Sequence, residues 1–177
     1  ENWTRPEHEV VGLMRLINKF IDTQAQELLD ANVRLRIIGR RDRFADDLCT
    51  AIQGLEQRSS KNTGLNLTVA LDYGGRQDIA SAALAIAKEI EVGMLSTDDV
   101  NDDLLKSRMS TKILPPVDLL IRTGGEKRLS NFLLWDLSYA ELYFSDKLWP
   151  DFNRSDLFDA IASFQGRQRR FGGGHYD

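Results

Sequence analysis

The stretch DLLIRTGGEKRLSNF, residues 118–132, decides how the fold of this 177-residue chain is interpreted. Its apolar beginning predicts a short buried strand over Val117–Ile121. Arg122 stands at the carboxyl end of that strand, and the pair Gly124–Gly125 permits a tight backbone path. Because ligands of parallel α/β sheets bind outside the carboxyl ends of the strands, this turn is the first place to look for a site.

Two arginines and a hydroxyl converge after the strand. Arg122 and Arg128 carry guanidinium forks, and Ser130 begins a short helix that we predict over Ser130–Leu137. These groups and the first N–H groups of a helix together are typical of a phosphate or diphosphate site. The alternative is a turn held by an ion pair with Glu126 and capped by Ser130, and spacing alone leaves both interpretations open.

Outward from this stretch, strands and helices alternate along the chain. Further strands are predicted over Val33–Ile38, Leu65–Leu71 and Tyr139–Phe144, and helices over residues 10–28, 44–55, 79–90, 97–108 and 156–169. The alternation predicts an α/β fold, with a mainly parallel sheet flanked by helices. We expect one domain over residues 1–177.

Composition and charge exclude several classes of protein. The chain has 42% apolar and 28% charged residues, as a folded globular chain does, and a net charge of −4 that argues against nucleic-acid binding. Its single cysteine, Cys49, rules out an internal disulfide and fits a reducing, cytoplasmic compartment. No apolar run approaches the roughly 20 residues of a membrane span, and we find no signal peptide.

A carboxylate stands among aromatic residues in the last predicted strand. Period-2 alternation places Glu141 between Tyr139 and Tyr143 on one face. Such a carboxylate needs a partner or a cation, and Mg²⁺ carried by a diphosphate would satisfy it. The alternative is a strand face that meets solvent.

Both ends of the chain carry arginines beside other candidate groups. Trp3 and Arg5, with Thr4 as a helix cap and Pro6 in the first turn, could clamp an anion or form only a capped helix with a packed Trp. At the other end, the run Arg167–Gly173 could be a solvated helix terminus. The turn Tyr73–Arg76 lacks the lysine and spacing of a P-loop, which favours a close helix–sheet turn.

Taken together, these segments resemble the cis-prenyltransferases, most closely the bacterial undecaprenyl diphosphate synthases, over the whole chain. The residues that carry the resemblance are Glu1–Pro6, Val33–Gly39, Tyr73–Arg76, Asp118–Phe132, Tyr139–Phe144, Trp149–Phe152 and Arg169–Gly173. The continuous run from Arg122 through Phe132 is the most specific of them.

The resemblance implies an enzyme that condenses isopentenyl diphosphate onto an allylic diphosphate, usually farnesyl diphosphate, with cis double bonds and Mg²⁺. The expected product is a long polyprenyl diphosphate, such as the undecaprenyl diphosphate of the cell-wall lipid carrier. It also implies a homodimer that contacts the inner face of the membrane peripherally through its product.

The resemblance also assigns roles to single residues. Arg122, Arg128 and Ser130 would hold the diphosphate of isopentenyl diphosphate, with Leu129 among them, and Glu141 would contribute to Mg²⁺ binding. At the amino end, Asn2 matches a position that assists proton removal, and the substrate-contacting positions match Glu1, Trp3 and Arg5. At the carboxyl end, the Arg-x-Gly sequence that crosses to the partner subunit matches Arg170 and Gly172.

The sequence departs from the family pattern in two places. The family's first strand ends in an Asp-Gly-Asn-Gly-Arg-Trp motif whose Asp carries Mg²⁺, and no Asp-Gly pair occurs here. We therefore expect residues 1–177 to be a fragment that is inactive as given. The milder departure is Asp72, which stands where the family commonly has Asn or Ser.

Two other functions fit parts of this pattern. One is a non-catalytic partner subunit of a two-component cis-prenyltransferase, favoured by the missing Asp and opposed by the retained Arg122, Arg128 and Glu141. The other is an unrelated α/β domain that binds nucleotide phosphates, which prenyl diphosphates would not displace.

Overall fold

The structure, a computed structural model, describes residues 6–168 apart from the side chain of Asp22. Contacts within the chain divide it into two compact units, with the boundary between Asp78 and Ile79. Both units combine helices with a pair of parallel strands, which confirms the predicted α/β class.

The elements follow one another in the predicted alternating order. In the first unit they are α1 (Glu7–Thr23), α2 (Ala25–Asp30), β1 (Arg34–Ile38), α3 (Asp46–Ser59) and β2 (Asn66–Ala70). The helix α4 (Gly75–Glu91) begins in the first unit and continues in the second. The second unit then adds α5 (Asp102–Arg108), β3 (Leu119–Arg122), β4 (Glu141–Phe144) and α6 (Arg154–Gln165), with short 3₁₀ helices at Thr97–Asp99, Ser110–Ile113 and Trp149–Asp151.

In the first unit, β1 pairs in parallel with β2, and α3 covers the other edge of β1. The N–H of Leu35 donates to Ser59 Oγ at 3.1 Å, and the N–H of Ile37 donates to Glu56 Oε1 at 2.8 Å. These side chains satisfy backbone donors that would otherwise be open to another strand.

Apolar packing joins the helices of this unit to its strands. One cluster is centred on Ala25, Leu35 and Leu55, and a second on Phe44, Leu48 and Ile52. Ile21 of α1 packs against both clusters. Leu48, Ile52 and Leu55 have helical spacing and are buried on one face of α3, whereas Ile21 of α1 is only partly buried.

In the second unit, β3 pairs in parallel with β4. Its buried apolar side chains include Ala82, Ile86, Met109, Leu133, Leu137 and Ala160. A buried ion pair joins α5 to the segment before β4: Lys106 Nζ donates to the carboxylate of Asp136, whose side chain is 3% exposed, and to Thr111 Oγ1 at 2.9 Å. The Lys106–Asp136 pair, together with the buried side chains of Leu133 and Leu137, fixes the segment that follows Ser130.

Several predicted elements differ from the observed ones. The helix predicted over Ser130–Leu137 is a series of turns, because three of its first four residues have positive φ. The helix predicted over residues 97–108 is divided into the 3₁₀ turn Thr97–Asp99 and α5, each with its own polar N-cap.

Smaller differences concern element ends. The first helix is interrupted at Gln24, and its N-cap is Pro6 rather than Thr4, which lies outside the described residues. Leu65, predicted to share the buried face of its strand, is 66% exposed because β2 begins one residue later. The last strand begins at Glu141 and leaves Tyr139 in a turn.

Within residues 6–168, no helix is both long enough and apolar enough to span a membrane.

We predict opposite effects for alanine at two glycines of the first unit. Gly39 has φ +107°, and a Cβ there would lie 2.0 Å from the carbonyl oxygen of Leu71, so Gly39→Ala should destabilise the fold by about 2 kcal/mol or more. Gly54 lies within α3 with nothing within 4 Å of such a Cβ, so Gly54→Ala should stabilise it by roughly 0.5–1 kcal/mol. Urea unfolding measures both, and an unchanged midpoint for Gly39→Ala would contradict the prediction.

Candidate active site

Arg122, the last residue of β3, reaches back over the loop that follows it. Its Nη1 donates to Ser130 Oγ at 3.0 Å and also to the carbonyl oxygen of Arg128. The structure therefore brings the guanidinium of Arg122 to the hydroxyl of Ser130 and to the main chain of Arg128. The hydroxyl and the guanidinium point to one place, where an anion would meet both.

The two glycines let this loop run beside the chain that follows β4. Gly124 and Gly125 have φ of +87° and +75°, in the left-handed region that favours glycine. Their N–H groups donate to the carbonyl oxygens of Lys147 at 2.7 Å and Ser145 at 3.0 Å. The loop is thus fixed to the second strand as well as to the first.

Left-handed backbone at Ser130, Asn131 and Leu133 replaces the predicted helix start. Their φ values are +48°, +61° and +43°. Non-glycine residues in this region cost of order 1–3 kcal/mol each and cluster at functional sites. The part of the prediction that used helix N–H groups at Ser130 is wrong, and the side chains remain as donors.

Arg128 already has an anionic partner in the structure. Its Nη1 donates to the carboxylate of Glu126, and the two side chains are 63% and 46% exposed. This is the ion pair of the alternative interpretation, although Ser130 accepts from Arg122 rather than capping a helix. Leu129, between the two arginine contacts, is half-buried and accepts the N–H of Phe132 at 3.1 Å.

In a single chain, Glu141 lies at a distance from Arg122 and Ser130. It is paired with Leu119, whereas Arg122 is paired with Phe144, three residues further along the strands. Three residues rise about 10 Å, and the odd step places the two side chains on opposite faces of the sheet. Arg122 and Glu141 therefore do not form one site within a single chain.

The partner that Glu141 requires is an arginine that the sequence analysis did not assign to it. Arg167 Nη1 donates to Glu141 Oε2 at 2.7 Å. The other carboxylate oxygen makes no hydrogen bond within residues 6–168. These residues also contain no group of three or more His, Cys, Asp or Glu side chains that could hold a metal ion.

Glu141 can therefore serve as one ligand of Mg²⁺. Mg²⁺ is commonly held by one or two carboxylates together with substrate phosphates and water, so a single carboxylate oxygen fits that mode of binding.

A cavity of about 620 Å³ lies in the first unit, between α1 and the start of α3. Its apolar lining comes from Val10, Val11, Met14, Phe44 and Leu48. Two arginines, Arg15 and Arg43, and two carboxylates, Glu7 and Asp47, also line it, so their formal charges cancel.

The remaining candidate residues cannot be placed. Glu1, Asn2, Trp3 and Arg5 precede the described residues, and Arg170 and Gly172 follow them.

Both the sequence and the structure of the chain are similar to those of known prenyl diphosphate synthases. The family model described as putative undecaprenyl diphosphate synthase matches residues 1–172. The chain is 49% identical over 173 residues to the farnesyl-diphosphate-specific ditrans,polycis-undecaprenyl-diphosphate synthase of Haemophilus influenzae, covering 98% of this chain and 72% of that protein. The enzyme of the same name from Escherichia coli K12 is 47% identical, with 98% and 68% covered.

Solved structures give the same result. The lavandulyl diphosphate synthase of Lavandula x intermedia, in complex with dimethylallyl diphosphate, has a TM-score of 0.93 and 40% identity, with 97% of this chain and 74% of that chain covered. A probable undecaprenyl diphosphate synthase from Campylobacter jejuni has a TM-score of 0.82 and 35% identity, with 97% and 78% covered.

We predict a low pKa for Asp156, which braces the glycine loop through Lys147. The N–H of Asn153 and the ammonium of Lys147 both donate to its carboxylate, at 2.9 Å and 2.6 Å, and they lower its pKa below the usual 3.8. Because the folded pKa is depressed, the stabilisation is complete above pH 3.8 and is lost as pH falls through the lower value.

Carboxyl NMR titration measures this pKa directly. In Lys147→Met the pKa should rise but stay below 3.8, because the hydrogen bond from Asn153, the larger cause, remains. A wild-type pKa at or above 3.8 would show that these contacts do not favour the carboxylate.

Proposed function

The chain belongs to the undecaprenyl diphosphate synthase family of cis-prenyltransferases, and from this membership we propose that it condenses isopentenyl diphosphate onto farnesyl diphosphate. The product is a long polyprenyl diphosphate with cis double bonds, undecaprenyl diphosphate for a cell-wall lipid carrier. The observation that carries the proposal is the contact of Arg122 with Ser130 across the glycine loop, beside Arg128.

Arg122, Arg128 and Ser130 bind the diphosphate of isopentenyl diphosphate, and Leu129 contributes to the same surface. Two fixed guanidinium groups and a hydroxyl hold the reactant so that its double bond faces the allylic carbon, which converts an encounter in solution into a reaction within one complex. In this binding step the diphosphate replaces Glu126 as the partner of Arg128.

The residues at the amino end of the chain contact the substrates and assist the reaction. By resemblance, Asn2 assists removal of the proton, and Glu1, Trp3 and Arg5 contact substrate. Part of the growing chain packs against Val10, Met14 and Leu48 in the cavity beside α1, whose lining also includes charged side chains.

Glu141 is the residue of the described part that would hold Mg²⁺. The ion neutralises the departing diphosphate when bound. Since Glu141 and Arg122 lie at opposite ends and on opposite faces of one pair of strands, their joint action is explained by a homodimer in which one copy completes the site of the other.

One further observation supports the homodimer. Exposed apolar side chains gather around β4, with Tyr139 66%, Leu148 62% and Trp149 75% exposed, and they provide an interface. By resemblance, Arg170 and Gly172 would contact the partner's diphosphate site. The family match runs across the boundary of the two units, which supports one domain over residues 1–177.

A cytoplasmic enzyme that releases a polyprenyl product contacts the inner face of the membrane peripherally.

The test of the proposed function is a turnover assay of the complete gene product with labelled isopentenyl diphosphate, farnesyl diphosphate and Mg²⁺. The expected product is a polyprenyl diphosphate whose length is measured by chromatography. A protein that turns over only with a second, different subunit is the non-catalytic partner instead. Failure to bind either prenyl diphosphate would overturn the proposal.

Arg128→Ala should raise the KM for isopentenyl diphosphate, lower turnover, or both. Loss of a charge-assisted contact costs about 1.5–3 kcal/mol, so kcat/KM should fall roughly ten- to a hundredfold. The matched control is Lys127→Ala, which removes the neighbouring positive charge and should change kcat/KM less than about threefold. Equal kinetics of Arg128→Ala and wild type would show that Arg128 does not bind the diphosphate.

Mixed dimers test whether the tail acts across the interface. A subunit lacking residues 170–177 and a subunit carrying Arg122→Ala should each be nearly inactive alone. Co-assembled, they should recover partial activity, because one of the two sites then has both halves. No recovery after verified subunit exchange would mean that the tail serves its own chain.

A further inference from the structure

The ammonium group of Lys106, in the last turn of α5, uses all three of its hydrogen-bond donors. Its Nζ donates to the carbonyl oxygen of Thr111 at 2.8 Å, to Thr111 Oγ1 at 2.9 Å and to the carboxylate of Asp136. The first two acceptors belong to the 3₁₀ helix Ser110–Ile113, and the third belongs to the segment between Ser130 and β4. Lys106 therefore joins three parts of the second unit at one point.

The acceptors of Lys106 lie in the interior. Thr111 is fully buried, and the side chain of Asp136 is 3% exposed against 24% for Lys106. The second carboxylate oxygen, Asp136 Oδ2, is buried and makes no hydrogen bond within the described residues 6–168. Because a buried carboxylate is costly without a partner, Asp136 depends on Lys106 to remain in this position.

The helix that carries Lys106 is itself fixed at both ends. At its start, the N–H of Leu104 donates to Asn101 Oδ1 at 2.9 Å. At its end, the guanidinium of Arg108 donates to both carboxylate oxygens of Glu89 in α4, at 2.8 Å and 2.7 Å. Two parallel bonds of this kind define an orientation as well as a distance. Lys106 is therefore a stationary donor.

Asp136 lies within the turn that ends the strained part of the chain. The N–H of Leu137 donates to the carbonyl oxygen of Leu133 at 3.0 Å and encloses Asp136 in one turn. Ser130 and Leu133 have positive φ, and strained backbone of this kind persists only where its surroundings hold it. The burial of the two leucines is non-directional, whereas the contact from Lys106 is a directed hydrogen bond. The ion pair therefore adds the direction that the apolar contacts do not supply.

We propose that Lys106, acting through Asp136, is a positioning residue that holds Ser130 where Arg122 contacts it. Arg122 reaches Ser130 Oγ from β3 at 3.0 Å, so the distance between these two groups depends on the segment as well as on the strand. The inference rests on the proposed function in one respect, namely that both groups bind the diphosphate of isopentenyl diphosphate. It extends that function to a lysine and a carboxylate that have no assigned contact with substrate or metal.

Asp136→Ala in the complete gene product should raise the KM for isopentenyl diphosphate about three- to tenfold, as expected if the competent loop were populated about a third to a tenth of the time. The KM for farnesyl diphosphate and kcat should change little, because the loop is held in place once the diphosphate is bound. Asp136→Asn keeps an acceptor oxygen in the same place and should recover most of the affinity. No rise in the KM for isopentenyl diphosphate, or an equal rise in both Michaelis constants, would overturn the positioning role.

Hydrogen exchange of the same protein tests the anchor without turnover. In Asp136→Ala and in Lys106→Met, the amides of residues 130–137 should exchange faster than in the wild type, while those of β1 and β2 should not. Lys106→Met leaves a buried carboxylate without its cation and should also lower the free energy of unfolding. If that variant does not fold, Asp136→Ala decides alone, because Lys106 then keeps both of its acceptors on Thr111.

The matched control is Lys112→Met, since Lys112 is an exposed lysine of the 3₁₀ helix that carries Thr111. It removes the same charge from the same part of the chain. The exchange of residues 130–137 and the KM for isopentenyl diphosphate should both stay as in the wild type. Unchanged exchange in Asp136→Ala, or equally fast exchange in Lys112→Met, would overturn the anchor.

A double variant tests whether the anchor acts through Ser130. Once Ser130→Ala has removed the hydroxyl, Asp136→Ala should raise the KM for isopentenyl diphosphate less than it does alone, because changes that act through one contact are not additive. Fully additive effects would overturn this route. Calorimetry with inorganic diphosphate makes the same comparison without catalysis. If the protein forms no prenyl product at all, the proposed function fails, while exchange and diphosphate binding still decide the anchor.

Discussion

The closure of the loop after β3 is the constraint on which the candidate site depends. Arg122 can meet Ser130 only because Gly124 and Gly125 turn the chain back, and their N–H groups fix it to the carbonyl oxygens of Ser145 and Lys147. The strain of left-handed backbone at Ser130 and Asn131 is maintained by the burial of Leu133 and Leu137 just beyond. The site is therefore built by a strained loop between two well-packed anchors.

Sequence periodicity predicted the elements whose stability comes from burial on one face. The helices α1, α3 and α4 and the strands β1 and β2 lie where apolar spacing placed them, within a few residues. It failed at Ser130–Leu137, where Leu133, Leu134 and Leu137 have helical spacing but the backbone takes positive φ instead. Apolar spacing indicates which side chains are buried. It cannot distinguish a helix from successive turns that bury the same two side chains, Leu133 and Leu137.

The same limit explains what could be predicted of the site. Arg122, Arg128 and Ser130 lie within nine residues, and a local turn was enough to bring them together. The pair Glu141–Arg167 spans 26 residues and depends on how α6 packs on β4, so no local pattern indicated it. Sequence reasoning established that the carboxylate needed a partner, because burial without one is costly, but not which partner it had.

Among the described residues, the charged groups of the candidate site, Arg122, Arg128 and Glu141, each have a protein partner, so binding a ligand there is an exchange of partners. Arg128 pairs with Glu126 at the surface, where such pairs contribute about 0–1 kcal/mol, while a charge-assisted bond to a diphosphate is worth about 1.5–3 kcal/mol. The exchange therefore favours the diphosphate over the carboxylate. At Glu141 the comparison is different, because Arg167 holds the carboxylate from a less exposed position and a cation would bind beside that positive charge. A divalent ion at Glu141 would be favoured by an accompanying diphosphate, whose negative charge would offset the positive charge of Arg167.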